Sequence, residues 1–202
     1  MVDKPGEFEL ISDVFAPLAA DAPGSLNLTD DAAIISPSSD QEVVVTADTI
    51  VEGVHFRSED PPETVGVKAL AVNLSDLAAM GATPHGYTLS AAWPSKTSAT
   101  WITDFATGLM AMQKRYHIHL LGGDTVATPG PICVNVTAFG LVEKGSAVRR
   151  SGARPGDVLY VTGTLGDAAL GLRLLTSQAG AHLSTDLQSD LIARYQQPQP
   201  RT

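Results

Sequence analysis

The chain has 202 residues, 44% of them hydrophobic, with a formal net charge of −9 and a pI near 4.8. That length holds one large domain, or one domain and part of another, with apolar content enough for a sizeable core. The acidic balance excludes a general basic field for nucleic acid, and no run of about 18 apolar residues exists to span a membrane.

A single cysteine, Cys133, excludes an intrachain disulfide, and its apolar setting (Ile132 to Val136) suits a small core side chain. The opening MVDKPGEFELI lacks a basic start followed by an apolar stretch, so no secretory leader is expected and the expected location is cytoplasmic.

Residues 7–20 carry Phe8, Ile11, Val14, Phe15 and Leu18 at helical spacing. Residues 24–28 form a linker into Thr29-Asp30-Asp31-Ala32-Ala33-Ile34-Ile35, two aspartates ahead of a short apolar strand. Strand alternation lets only one of the pair face a site; a turn with carboxylates capping local N–H groups is the competing reading.

The organising stretch is residues 43–56, VVVTADTIVEGVHF. Its β-branched start predicts a buried strand that delivers Asp48 at its exit, where ligands of α/β proteins gather. Asp48 is therefore a candidate metal ligand and His55 a candidate contact to an anionic substrate. A strand ending in a turn capped by Asp48 is the alternative.

Residues 63–80 predict a helix with Leu70, Leu74 and Leu77 on one stripe, and Asn73 and Asp76 on the next. No basic residue lies within a turn of Asp76, so a buried carboxylate there needs a partner such as a bound cation. A strand at 87–93, a helix at 98–116, and a strand from His117 into Gly122-Gly123-Asp124-Thr125 follow. The two glycines allow close backbone approach to a ligand. Residues 131–142 alternate as a further strand.

At Ser146 the texture shifts. Arg149 to Asp157 holds the main basic cluster and reads as a connection between domains, followed by a strand at 158–162, a Gly163–Gly166 turn and a helix at 167–176. That turn lacks the Lys and spacing of a P-loop, so a tight strand-to-helix turn is the better reading. The expected domains are 1–145, an N-terminal domain, and 146–202, the beginning of an incomplete C-terminal domain.

Four segments thus each supply an aspartate, Asp31, Asp48, Asp76 and Asp124, and Thr46 adds a hydroxyl. An all-oxygen donor set without cysteine points to a hard cation, Mg²⁺ above all. Several such ions bridging nucleotide oxygens are what phosphoryl transfer requires.

TDDAAII, TADTIVEGVHF, KALAVNLSDLAAMGA, LLGGDT and RRSGARPGDVLYVTGTLGDAALGL together resemble thiamine-monophosphate kinase, within the wider aminoimidazole ribonucleotide synthetase fold group. The likeness runs from Gly6 to Arg201. It implies an α/β (α+β) fold: an N-terminal domain with a mixed sheet and flanking helices, plus the start of a second α/β domain. It implies ATP-dependent phosphoryl transfer to thiamine monophosphate, giving thiamine diphosphate and ADP, with no acid or base assigned. Asp31, Thr46, Asp48, Asp76 and Asp124 would hold several Mg²⁺ ions, and His55 would contact thiamine monophosphate. Gly123 and Arg150 would meet the ATP phosphates, and the N-terminal domain would form a homodimer. The rival expectation is a catalytically inactive nucleotide-binding and dimerisation module of the same family. No nucleic acid or membrane partner is expected.

Overall fold

The computed structural model describes residues 6–177 and 182–202. Residues 1–5, part of the stretch on which the expectation of no leader rests, lie outside them. The N-terminal rod consists of α1 (Glu7–Leu10), a π turn (Ile11–Phe15) and α2 (Ala16–Ala19). Pro17 explains the widening: it brings no N–H to the ladder, and its ring clashes with the carbonyl four residues back. The Ala16 N–H donates instead to the Ile11 oxygen. A 3₁₀ turn, Pro23–Leu28, follows, with Leu26, Asn27 and Leu28 all in the left-handed region.

The strand expected at 32–35 does not form. The Ile34 N–H donates to the Gly24 carbonyl at 2.8 Å, so the segment folds back on the preceding turn instead of joining a sheet.

Four strands make the sheet: β1 (Gln41–Val51), β2 (Thr83–Pro94), β3 (His119–Thr128) and β4 (Cys133–Glu143), in the order β1-β4-β2-β3. β4 runs antiparallel to both β1 and β2, and β2 runs parallel to β3, so the sheet is mixed as expected. α3 (Pro62–Ala79) and α4 (Ala99–Tyr116) cover one face. β1 is an edge strand, not a buried one. Val43 and Val45 are exposed, whereas Val44 and Ile50 pack into the core. Cys133 likewise sits half-buried on the uncovered face and not in the core.

The core is built from period-matched residues. Leu70, Leu74 and Leu77 of α3, with Ile102, Phe105 and Leu109 of α4, are fully buried against Tyr87, Leu89 and Trp93. Trp93 meets Trp101 and Phe105 edge-on, with ring centroids 5.8 and 5.6 Å apart. The helices approach closely because glycine stands at both contact points. A Cβ on Gly66 would lie 2.1 Å from the Phe105 oxygen, and one on Gly108 would lie 2.0 Å from the Glu63 oxygen. Ser98 caps α4, its Oγ accepting from the Trp101 N–H at 3.1 Å, and His117 closes the same helix in the left-handed region.

After Gly145 the chain crosses the surface through a short 3₁₀ turn (Arg150–Gly152) and ends in a helical hairpin, α5 (Asp167–Thr176) and α6 (Thr185–Gln196). The strand expected at 158–162 is absent. Leu159 is 93% and Tyr160 88% exposed, because no strand among the described residues lies alongside to pair with them.

Candidate functional site

Pairing carries β1 past Asp48 to Val51 and β3 past Asp124 to Thr128, so both carboxylates lie within strands instead of at their exits. The register separates them. Asp48 shares a row with Val136, Leu89 and Gly123, while Asp124 shares the next row with Ser90, Asn135 and Thr49. Adjacent rows point to opposite faces. Asp48 therefore faces the helices with Val44 and Ile50, and Asp124 faces the open side at the β3 edge.

The expected donors accordingly fall into two groups. In the first, the Thr46 hydroxyl donates to Asp76 Oδ2 at 2.9 Å, joining β1 to α3. Asp48, Ser75 and Asp76 line a pocket of about 330 Å³ whose other side is Pro198, Gln199 and Pro200. Asp76 is exposed on the flank of α3, not buried, because the Leu70–Leu74–Leu77 stripe turns the neighbouring face inward and leaves position 76 at the edge. Its partner is a hydroxyl.

In the second group, Asp30, Asp31 and Asp124 line a cavity of about 420 Å³ at the β3 edge. Ile11, Phe15 and Leu28 of the N-terminal rod and turn form its apolar wall, opposite Leu89 and Leu120. One side of this cavity suits a flat apolar group and the other an ion. Nothing in the N-terminal sequence marks that helix as part of a site. The apolar spacing that marks it as a helix does not say that Ile11 and Phe15 meet β3.

Among the described residues, no three His, Cys, Asp or Glu side chains stand close enough to share a metal ion. Mg²⁺ does not require three. It keeps several waters and is ordinarily held by one or two carboxylates together with substrate phosphates. Each group offers two or more carboxylates, all donors are oxygen, and neither group contains an ammonium or guanidinium to compete. The residues present fit the ion.

His55 lies in the tight turn after β1, exposed, and its Nδ1 accepts from the Val51 N–H at 3.1 Å. That bond leaves Nε2 as the outward nitrogen. The His55 carbonyl accepts from Lys68 Nζ at 3.1 Å. Burial pushes the Lys68 ammonium down to about 8, against the upward pull of the Asp60 charge. Gly123 is constrained from within, since a Cβ there would lie 1.9 Å from the Leu89 carbonyl oxygen of β2. The close approach that this glycine permits is to the neighbouring strand. Arg150 is exposed in its 3₁₀ turn and lines neither cavity.

Residues 29–142 match the family model described as AIR synthase related protein, N-terminal domain. The chain belongs to that family. The thiamine-monophosphate kinase of Caulobacter vibrioides is 42% identical over 197 residues, 98% of this chain and 54% of that protein. The crystal structure of thiamine-monophosphate kinase from Stenotrophomonas maltophilia K279a superposes with a TM-score of 0.82 at 43% identity, covering 97% of this chain and 62% of the other. A structure of AaThiL complexed with AMPPCP and TMP matches with a TM-score of 0.75 at 31% identity, over 97% and 60% of the two chains. The chain spans a little over half the length of the curated relatives it matches. As a member of the AIR synthase related family it carries the mixed sheet and flanking helices expected of that N-terminal domain, and the family model covers both carboxylate groups. No helix among the described residues is long and apolar enough to cross a membrane.

Proposed function

We propose that this chain carries the Mg²⁺- and ATP-binding part of an enzyme that transfers the γ-phosphoryl group of ATP to thiamine monophosphate, giving thiamine diphosphate and ADP. The observation that carries the reading is the pair of oxygen-only carboxylate groups, Thr46/Asp48/Asp76 and Asp31/Asp124. They belong to a chain about 40% identical to thiamine-monophosphate kinases and similar in fold to a protein solved with AMPPCP and TMP.

In this reading Mg²⁺ ions supply charge neutralisation for the nucleotide phosphates. Thr46, Asp48 and Asp76 would hold ions at one pocket, and Asp31 and Asp124 would hold others at the separate cavity by the β3 edge. The Thr46 hydroxyl fixes the Asp76 carboxylate against β1, so one oxygen is oriented before any ion arrives. The outward Nε2 of His55 meets the anionic acceptor, while the Val51 N–H sets the ring. Gly123 keeps β3 tight against β2, so the backbone beside Asp124 is rigid, and Arg150, which lines neither cavity, would meet ATP phosphates only from the surface segment. No general base is needed, because the acceptor phosphate is already anionic and catalysis rests on position and charge.

The uncovered sheet face, with Val43, Val45 and Val126 exposed, supports a homodimer through that face. A second reading, an inactive nucleotide-binding and dimerisation module, is favoured by one observation: the uncovered apolar run at 158–161.

The test is chromatographic detection of thiamine diphosphate from thiamine monophosphate, ATP and Mg²⁺, beside Asp48→Asn. We expect product from the wild type and a loss of at least about a hundredfold in the variant, as for removal of one charge-stabilising group. Mg²⁺-dependent ATP binding without product would select the inactive module. Absence of ATP binding would end both readings.

A further inference from the structure

Helix α6 and the residues after it are fastened to the rest of the molecule at two ends. At one end, Lys68 of α3 is buried. Its ammonium donates to the His55 carbonyl and stands 3.6 Å from the centre of the Tyr195 ring. The next residue, Gln196, donates through Nε2 to Asp60 Oδ1 at 2.9 Å. Burial and the Asp60 carboxylate hold the Tyr195 hydroxyl above its ordinary value, and the ring itself is half-buried. At the other end, the Tyr116 hydroxyl donates to the Pro200 carbonyl at 3.0 Å. Between the two anchors, Pro198, Gln199 and Pro200 form the side of the acidic pocket that faces Asp48 and Asp76. Two prolines fix φ over this short segment, so pinning its ends leaves little freedom between them.

Lys68 has an unusual set of partners. Among the described residues it makes no ion pair within 4 Å, and Asp60, the acid acting on it, already accepts from the Arg57 backbone N–H and from Gln196 and lies 3.9 Å from the Arg57 guanidinium. A buried ammonium served by one carbonyl and one ring face gains most from keeping that ring in place. Nothing in the transfer reaction described above uses Lys68 or Tyr195.

We propose that Lys68 and Tyr195 form a latch that seats the 198–200 segment as a wall of the Asp48–Asp76 pocket, and thereby sets how tightly that pocket holds a divalent cation. They are positioning residues. The wall keeps bulk water off one side of two carboxylates, and a cation between them is attracted more strongly where the local dielectric is lower. Only the identity of the ligand rests on the metal reading; the seating stands on the contacts alone.

The experiment uses the full chain with Tyr195→Leu, Lys68→Met, the double variant and Tyr195→Phe, which keeps the ring. Hydrogen exchange by mass spectrometry reads the seating. Each disrupting variant should raise exchange in α6 and at Gln199 and Arg201 by about tenfold, the worth of a partly desolvated cation–ring contact. Exchange in α3 and α4 should hold, showing that the sheet body remains folded. The double variant should be no worse than either single one, because both remove the same contact, and Tyr195→Phe, which keeps the ring and loses only the hydroxyl's bond to the Asp60 carboxylate, should stay closer to wild type than to Tyr195→Leu. Mn²⁺ binding, followed by electron paramagnetic resonance, should weaken about fivefold in the same variants and by less in Tyr195→Phe.

Unchanged exchange in Tyr195→Leu, or additive effects in the double variant, would overturn the latch. Equal or tighter Mn²⁺ binding in a variant whose tail exchanges freely would overturn its link to the pocket. Failure of the wild type to bind Mn²⁺ would sink the metal reading and the cation half of the proposal, leaving the seating to be decided by exchange.

Discussion

Two β-branched runs in this chain meet opposite fates. Val43-Val44-Val45-Thr46 becomes part of an eleven-residue strand, while Val158-Leu159-Tyr160-Val161-Thr162 stays irregular and open to water. Their intrinsic preferences are alike. The difference is β4, which pairs with β1 from Gln41 to Val51 and gives the backbone groups on that side of the strand partners along its whole length. No described strand does this for 158–162. Strand propensity therefore predicts where a strand is possible, and the neighbour decides whether it exists. The comparison also locates stability: it lies where the sheet meets α3 and α4, and the surface run adds little to it.

The change expected to hurt most tests that division at the helix crossing. Gly66→Val would place a Cβ 2.1 Å from the Phe105 carbonyl oxygen, a backbone atom that cannot step aside. Driving α3 and α4 apart should cost about 3 kcal/mol, read as a lower midpoint in urea unfolding followed by tryptophan fluorescence, since the rings of Trp93 and Trp101 both pack on Phe105. The same substitution at Gly152, which faces open space, should leave the midpoint within about 0.5 kcal/mol of wild type. Equal losses at both positions would mean that the core is not where the body's stability resides.

A pH effect comes next in size. Tyr87 is fully buried, and its hydroxyl accepts from Gln113 Nε2 at 3.1 Å. Burial pushes that hydroxyl far above its ordinary value near 10, and the Gln113 bond opposes this only in part. Above that ordinary value the unfolded chain has lost a proton that the folded chain still holds. The folded state binds more protons, so stability falls as pH rises, by about 1.4 kcal/mol per unit. Urea unfolding at pH 9 and 11 should show this loss in the wild type and a smaller one in Tyr87→Phe. A variant that falls as steeply would assign the slope to other groups.

Much of the architecture was legible. The helical period of residues 63–80 and 98–116 and the alternation of 131–142 each mark an element that the structure contains, because one face of each is buried and periodicity records burial. What stayed hidden depends on pairing. Ile34 and Ile35 look like a strand, yet Ile34 bonds back to Gly24. Asp48 and Asp124 look like strand-end carboxylates, yet their strands run on and the register sends them to opposite faces. The four aspartates were recognisable as a set from residue type alone, but their division into two groups was not. It follows from the position of β4 and β2 between β1 and β3, and spacing along the chain carries no trace of strand order.

The smallest expected effect returns to the two valine-rich runs. Val44→Ser and Leu159→Ser both replace an apolar side chain by a short polar one. Val44 packs against the core from the covered face, so its loss should cost roughly 1–2 kcal/mol in unfolding. Leu159 has almost no apolar contact to lose, and its replacement should stay within about 0.5 kcal/mol. Its effect should appear in association instead, because an exposed apolar run with unpaired backbone groups is a template for another chain. Light scattering over a concentration series should show wild-type aggregation that Leu159→Ser reduces and Val44→Ser does not. A Leu159→Ser variant destabilised as much as Val44→Ser would mean that something buries 158–161 in solution. A wild type that stays monodisperse at every concentration would mean that its unpaired edge is already blocked.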